Sequence, residues 1–461
     1  MRQFALLFLV SCCTAADAAS LPRFAAGEGT ELKASLEKDG KWWAHLGDHV
    51  YHAPSSSSGL SSRVGDYYYA FGSDSALSNK LRDRRVGGEG RLHIFHLPEG
   101  PSMLQVENTR RSRRSALSAF NQLKEHMKLQ SWFPVYKQDS SYQNPLNANG
   151  QELEKLAVSK ITADRLMAYL KDITSFSTRS FQNPQASRNV QSFIKKEFQK
   201  LNFTTCEHTF SFGGPSTNLV AFAPGSSKTG DVVVMGAHYD DIPAFGHAPG
   251  AEDNGSGLAA LLGIMRAFQE AGIKTKKSVA FVGFAGEEPG LLGSEAYANS
   301  ILSSKTNMDQ CLPPAPEGSG KSSSFLSRFS SLRKRENFQA IVMDEVGWQS
   351  PSLSSPTVNL ESYDWTKDLM EHLAQSSKDH NGDSLTVVHS NHPFGSDHMS
   401  FLDRRIPAVL TINGDDEAYP FYHSSGDEIT QVTGSLVEKI AKMNMGGLLR
   451  LAGIESQVQT S

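Results

Sequence analysis

The sequence predicts an α/β fold: a mixed, mostly parallel central sheet sandwiched by helices, preceded by an N-terminal pro-region or small accessory domain. Three observations predict it. From Lys160 onward, short and continuously apolar segments alternate with segments of helical periodicity, the pattern of strands buried on both faces and joined by helices. Five residues, His238, Asp253, Glu288, Asp344 and His423, each stand where such an apolar segment ends or just beyond one, and open parallel sheets build their sites outside the carboxyl ends of strands. Residues 19–150 differ in texture, with SSSSGLSS at 55–62, Tyr67-Tyr68-Tyr69, a strand-like RLHIFHL at 91–97 and RRSRR at 110–114.

The elements follow in order. ITADRLMAYLKDI (161–173) places Leu166, Met167, Leu170 and Ile173 on one helical stripe, with Thr162 at the N-cap position. Val190, Phe193, Ile194, Phe198 and Leu201 form a second stripe. NLVAFA (218–223) and DVVVMGA (231–237) are strands, followed by a helix at 256–271 whose Leu258, Leu261, Leu262, Met265 and Phe268 share one face. SVAFVGFA (278–285), FQAIVM (338–343), LTVV (385–388) and PAVLTI (407–412) are further strands. Helices are expected at 291–303, 364–380, 397–404 and near 433–452. LPPAPEGSGKSSSFLSRFSSLRKREN (312–337) is rich in Pro and Ser and basic, as an inserted surface loop would be. No internal repeat is visible.

Composition narrows the class. The 461 residues are 39% apolar and 20% charged, with a net charge of −4, an ordinary globular balance that favours neither nucleic acid nor an anionic membrane as partner. MRQFALLFLVSCCTAADA (1–18) has Arg2, an apolar run and a small-residue Ala16-Asp17-Ala18 end, the signature of a secretory signal too short to span a bilayer. A secreted location, or a vacuole- or lysosome-like compartment, follows. Of four cysteines, Cys12 and Cys13 would leave with the signal, and Cys206 with Cys311 allows one bridge that spacing alone does not establish. Arg111-Ser112-Arg113-Arg114 reads either as a site for a furin-type processing protease acting at Arg114, which makes 19–114 a propeptide, or as a solvated charge run. Asn202-Phe203-Thr204 is a glycosylation sequon. Asn254-Gly255-Ser256 has the same pattern but would lie in the site and stay bare.

The five residues named above are nitrogen and oxygen donors of the kind that bind zinc, and their gathering at one sheet edge points to a two-metal centre. Asp253 suits a bridge, because the Gly-rich GAEDNGSG brings its backbone close just before a helix opens; alone it would be taken for a helix cap. His238 and Asp240 share a face of the strand end, so Asp240 could accept the second N–H of the histidine. Asp241 points the other way, as a loop residue would. Glu287 and Glu288 project differently: one can bind metal while the other, facing the water, acts as general base. Asp344 ends an apolar strand, and Asp427 is placed four residues after His423 to orient it. Glu345 could shape the substrate entrance or be solvated. His389, His392 and the Ser396-Asp397-His398 motif are competing donors, but Asp397 and His398 open the 397–404 helix and would cap it or pack.

The segments GAHYDD, APGAEDNGSG, FAGEEPGLLGSEAYA, MDEVG, SDHMSFLDRRIPAVL and YHSSGDEI resemble, in order and spacing, the bacterial leucyl aminopeptidase family of co-catalytic zinc exopeptidases. The resemblance runs from about Thr162 to Ile454. It implies the zinc exopeptidase fold with six to eight strands, and two zinc ions per chain: one held by His238 and Asp344, the other by Glu288 and His423, with Asp253 bridging. It also implies Glu287 as general base, a carboxylate like Asp240 behind His238, and a cis peptide at Asp253-Asn254. The chain has Glu252-Asp253 where the family often has Asp-Asp.

The expected activity is removal of apolar, leucine-like N-terminal residues from peptides with a free N-terminus, the apolar preference drawn from Trp348, Phe394, Phe401 and Tyr422, which could equally be core. A glutaminyl cyclase-like enzyme would work with one zinc and tends to carry a tryptophan-rich loop where this chain has PGLLGSEAY. A carboxypeptidase-like relative, or a binding protein on a decayed peptidase scaffold, is the remaining alternative. The decayed form would have lost donors, and here all five and Glu287 are present.

Overall fold

Apolar runs without polar interruption become strands buried on both faces, and these form the middle of the sheet. The computed structural model describes residues 142–457 except 212–214, 228–229, 243–245, 303–310, 312–337, 391–392 and 394, plus short strands before residue 142. The chain divides into two compact units, residues 1–130 and 131–461. In the first, Arg23–Ala25, Trp43–Leu46 and His49–His52 pair antiparallel, and Tyr67–Phe71, Arg85–Gly87, Leu92–His96 and Asn121–Gln122 form a second small sheet. The signal-like segment, the basic Arg111–Arg114 run and the 312–337 segment lie outside the described residues.

The second unit opens with helices α1 (Ala148–Ser159), α2 (Ala163–Ile173) and α3 (Pro184–Lys200). Strands β1 (Thr204–Ser211), β2 (Pro215–Ala223) and β3 (Val232–His238) follow, then helix α4 (Gly257–Glu270). A short β4 (Ile273–Thr275), β5 (Ser278–Phe284), α5 (Leu292–Leu302) and β6 (Phe338–Met343) come next. The chain then runs through β7 (Thr357–Glu361), α6 (Lys367–Asn381), β8 (Thr386–Ser390), α7 (His398–Leu402), β9 (Ala408–Asn413), α8 (Gly434–Ala452) and β10 (Ile454–Gln457).

Eight strands make one mixed sheet in the order β8-β7-β9-β6-β3-β5-β2-β1. The central β9-β6-β3-β5 run is parallel, with antiparallel joins at β7–β9 and β5–β2. Every residue of β3 and β5 is buried, as expected of strands covered on both faces. The chain passes from β3 to β5 on one side and later returns to β6 on the other. The carboxyl end of β3 is therefore the topological switch point, where doubly wound sheets open a crevice.

Helix α4 lies under that crevice. Its Leu258, Leu261, Leu262, Met265 and Phe268 are buried as the periodicity predicts, each contributing about 1.5–3 kcal/mol of burial. Thr162 stands at the N-cap of α2, but its hydroxyl takes no helix N–H; the carboxylate of Glu438 accepts from Ala163 at 2.9 Å instead. Cys206 and Cys311 form a disulfide with 5.4 Å between their Cα atoms.

Candidate metal centre

Each chemically active side chain is delivered by the end of a strand or by a turn just beyond it. His238 is the last residue of β3, Glu287 and Glu288 follow β5, and Asp344 follows β6 directly. Asp253 lies in a distorted turn, Ala251–Ser256, whose Asp253 and Asn254 leave helical geometry before α4 begins. The Asp253-Asn254 peptide is cis, as the resemblance implies. His423 comes from the segment after β9 and has a positive φ of 51°, a conformation uncommon outside glycine.

These residues meet. His238 Nε2 lies 3.2 Å from Asp344 Oδ1 and 3.4 Å from Asp253 Oδ1. His423 Nε2 lies 2.9 Å from Glu288 Oε2 and 3.2 Å from Asp253 Oδ2. Two donor triads result, His238/Asp253/Asp344 and Asp253/Glu288/His423, each with its ligand atoms within 4.8 Å of one another. Asp253 belongs to both and turns a different oxygen toward each histidine.

The charge pattern suits cations. Burial pushes Glu288 up to about 8, and the neighbouring Asp253 adds to the push. Burial also holds Glu287 well above the ordinary carboxylate range, His238 opposing and Asp344, Glu288 and Asp397 reinforcing it. Burial acts on Asp253 in the same sense, yet hydrogen bonds and charge from His238 and His423 keep its carboxyl below the usual range. For His423, burial pulls down while Glu288 and Asp253 raise it to about 11. The buried Glu288 Oε1 has no hydrogen-bond partner, and His423 Nε2 makes no aligned hydrogen bond with the oxygens it faces. A ring nitrogen and carboxylate oxygens converging without such bonds are the donor set a shared divalent cation would satisfy.

Asp240 acts partly as expected. His238 Nδ1 lies 3.2 Å from the backbone carbonyl of Asp240 and 3.8 Å from its carboxylate. That carboxylate instead accepts from Gly286 at 2.8 Å and Glu287 at 3.2 Å, fixing the turn that carries the two glutamates. Asp241 lies in the irregular chain after β3 as expected, but it is buried and accepts from Thr178 Oγ1 and the Arg179 N–H. Asp427 makes no hydrogen bond to the His423 ring. It accepts from the backbone N–H groups of Glu252 and Asp253 at 2.8 and 3.0 Å and from Tyr419 Oη at 2.6 Å. Those two N–H groups, exposed by the distorted turn, need an acceptor once buried.

Among the competing donors, His389 sits on β8, four strands from β3 and so roughly 19 Å away. His392 and Phe394 lie outside the described residues. Asp397 and His398 are buried at the start of α7, while Ser396 donates to Asp344 Oδ2 at 2.6 Å. Glu345 is buried rather than solvated, with φ 43°. Glu252 is buried and accepts from the Gly347 N–H at 2.7 Å, and burial pushes it up to about 8. Asn254 is fully buried, bonded to Met343 and Gly257, so that sequon is closed to modification, whereas Asn202 is exposed.

Residues 218–446 match the profile of Peptidase family M28. The chain belongs to this family over that span. Leucine aminopeptidase 1 of Trichoderma harzianum is 30% identical over 164 residues, 32% of this chain and 40% of that protein. Aminopeptidase YwaD of Bacillus subtilis is 28% identical over 223 residues, 47% of this chain and 41% of that protein. The chain thus spans less than half of these two curated relatives. The LapA aminopeptidase of Legionella pneumophila shares the fold, with a TM-score of 0.54 at 19% identity, covering 84% of this chain and 98% of that one.

Sequence reasoning missed Arg179. Its fully buried guanidinium donates to Tyr239 O at 3.0 Å, Pro249 O at 2.5 Å and Gly250 O at 2.8 Å, and lies 3.3 Å from the Asp241 carboxylate. It pins the chain leaving β3 to the turn that carries Asp253. Gly250 completes the fit: with φ 51°, a Cβ there would stand 2.6 Å from Asp253 O and 2.7 Å from Arg179 Nη2. The only signal in the sequence was an arginine in the polar stretch STRS ahead of a helix.

Proposed function

We propose that this protein is a secreted di-zinc aminopeptidase that removes apolar N-terminal residues from peptides. One observation carries the reading: Asp253 divides its two oxygens between two complete donor triads, at 3.4 Å from His238 and 3.2 Å from His423. His238 and Asp344 would hold one zinc, Glu288 and His423 the other, with Asp253 shared. Bound zinc supplies Lewis-acid polarisation of a carbonyl and a water acidified to near neutral pH.

The chain's own groups do the rest. Glu287 belongs to neither triad yet lies close enough to feel the charge of His238, Asp344 and Glu288, and it serves as the general base. It takes the proton from water and hands it to the departing amine. Asp240, by accepting the Gly286 and Glu287 N–H groups, keeps that carboxylate in place. Of the aromatics behind the apolar preference, Phe401 is core, packed on Phe284 and Tyr297. Trp348 is buried against Tyr419. Tyr422 is exposed and stacked on His423 at 3.7 Å, and is the one of these three left to line the entrance.

No helix among the described residues is long and apolar enough to cross a membrane; secretion rests on the signal-like residues 1–18. The test is a panel of aminoacyl chromogenic amides with N-acetylated controls, run after chelation and zinc add-back. Turnover should vanish on chelation, return with two zinc equivalents and spare the acetylated controls. Equal turnover of acetylated substrates would refute an aminopeptidase, full hydrolysis at one equivalent would refute the need for two zinc ions, and zinc binding without release of any chromophore would favour a cyclase.

A further inference from the structure

The two donor triads are carried by segments far apart in sequence, and a single buried carboxylate ties those segments together. Asp427 comes from the same loop as His423. Its Oδ1 accepts the Glu252 N–H at 2.8 Å and its Oδ2 accepts the Asp253 N–H at 3.0 Å, while Tyr419 Oη donates to Oδ1 at 2.6 Å. The backbone adds a third tie, from Ala251 N–H to Asp427 O at 3.0 Å. Asp427 is buried, so these bonds are not shared with bulk water.

The loop that presents Asp427 is itself tightly built. Ser424 N–H bonds to Phe421 O and Asp427 N–H to Ser424 O, at 3.1 and 3.2 Å. Phe421 lies over Gly426 so closely that a Cβ there would stand 2.4 Å from its ring. Tyr419 is wedged between Trp348 and Phe421, with ring centroids 5.4 and 6.1 Å away. A shift of Asp427 would therefore move His423 and Asp253 together.

Building on the di-zinc reading, we propose that Asp427 is a positioning residue that couples the two metal sites, so that neither donor triad is fully formed unless the His423 loop is docked on the Asp253 turn. Its carboxylate touches neither substrate nor the donor atoms and acts through the Asp253 backbone. The consequence is asymmetric. Removing the His423 imidazole deletes a donor from one triad only. Disturbing Asp427 displaces the carboxylate that both triads share.

The experiment uses the full-length chain, titrating zinc into metal-free wild type, Asp427→Asn, Tyr419→Phe and His423→Ala against a chelating dye, with thermal unfolding of each metal-free protein. Asn is nearly isosteric but replaces one acceptor oxygen with an NH₂ that cannot accept. Asp427→Asn should weaken both zinc-binding steps by about 10- to 100-fold, the usual cost of losing a group that orients metal ligands. Tyr419→Phe should shift both steps in the same direction by less. His423→Ala should abolish one step and largely spare the other.

Unchanged zinc affinity in both Asp427→Asn and Tyr419→Phe, or weakening of one step alone, would overturn the coupling. If Asp427→Asn proves unfolded without metal, Tyr419→Phe decides by the same criteria. Failure of wild type itself to bind two zinc ions would defeat the di-zinc reading, a separate result.

Discussion

Glu287 and Glu288 are chain neighbours with different surroundings, and that difference assigns their work. Glu288 faces His423 at 2.9 Å; Glu287 joins neither triad and accepts no metal-ligand role from the geometry. Glu287→Gln is expected to leave zinc content unchanged while lowering kcat by about 10²- to 10⁴-fold, the usual range for a general base. Near-wild-type turnover in that variant would remove Glu287 from the mechanism. A second residue away from the centre gives a pH prediction. His208 is buried between Ser300 Oγ and Asn218 Nδ2, at 3.0 and 2.9 Å, and burial lowers it to about 4 from an ordinary 6.5. Because the folded pKa is depressed for a base, the unfolded chain binds the proton first. The contribution is complete above pH 6.5 and fades as pH falls toward 4, by up to about 3 kcal/mol. Wild type should therefore lose more stability than His208→Gln between pH 7 and pH 5 in parallel denaturant titrations; equal losses would contradict this. The five donors were legible in the sequence because each follows an apolar strand that declares its own end. Arg179 was not, and Asp427 was singled out with the wrong partner, since both bind backbone groups exposed only by a distorted turn, which leaves no mark in residue spacing.

Helix α1 shows how an element is held by charge as well as by apolar contact. Glu154 is buried on its inner face and meets Arg450 of α8 with Nη2 at 2.7 Å, while His380 of α6 approaches at 2.7 Å. Asp379 accepts from the same Nη2 at 2.6 Å. Glu154→Ala should destabilise by about 3 kcal/mol, because removing one partner leaves charge buried and poorly paired. A loss under 1 kcal/mol in denaturant unfolding would show that the helix docks by its apolar face alone. The apolar strands of the sheet centre were readable from sequence to within a residue or two. The edge was harder: β1 is half exposed and carries Glu207 and His208, and β7, TVNLE, buries Asn359 and Glu361. Buried polar side chains break the apolar run on which strand recognition depends.

On the scale of the whole chain, the sheet concentrates chemistry at one edge, where β3, β5 and β6 end side by side. That arrangement follows from chain order alone and was the most legible feature of all. Cleavage after Arg114 is expected to change kcat/KM on a dipeptide amide, as a propeptide would; identical rates for intact and cut protein would leave the N-terminal unit without a regulatory part.

The seam between β3 and β6 has a further implication. Every candidate donor up to Glu288 precedes α5, whereas Asp344 and His423 follow it, and within the eight-stranded sheet the strands of the two halves lie in separate blocks that touch only at this join, the small β4–β10 pair being a second tie outside that sheet. A protein expressed as two polypeptides divided between α5 and β6 would thus bring inert halves that zip along one parallel register, Val232 to Phe338 through Gly236 to Val342. Competence would appear only on reassembly, making the scaffold a natural split reporter.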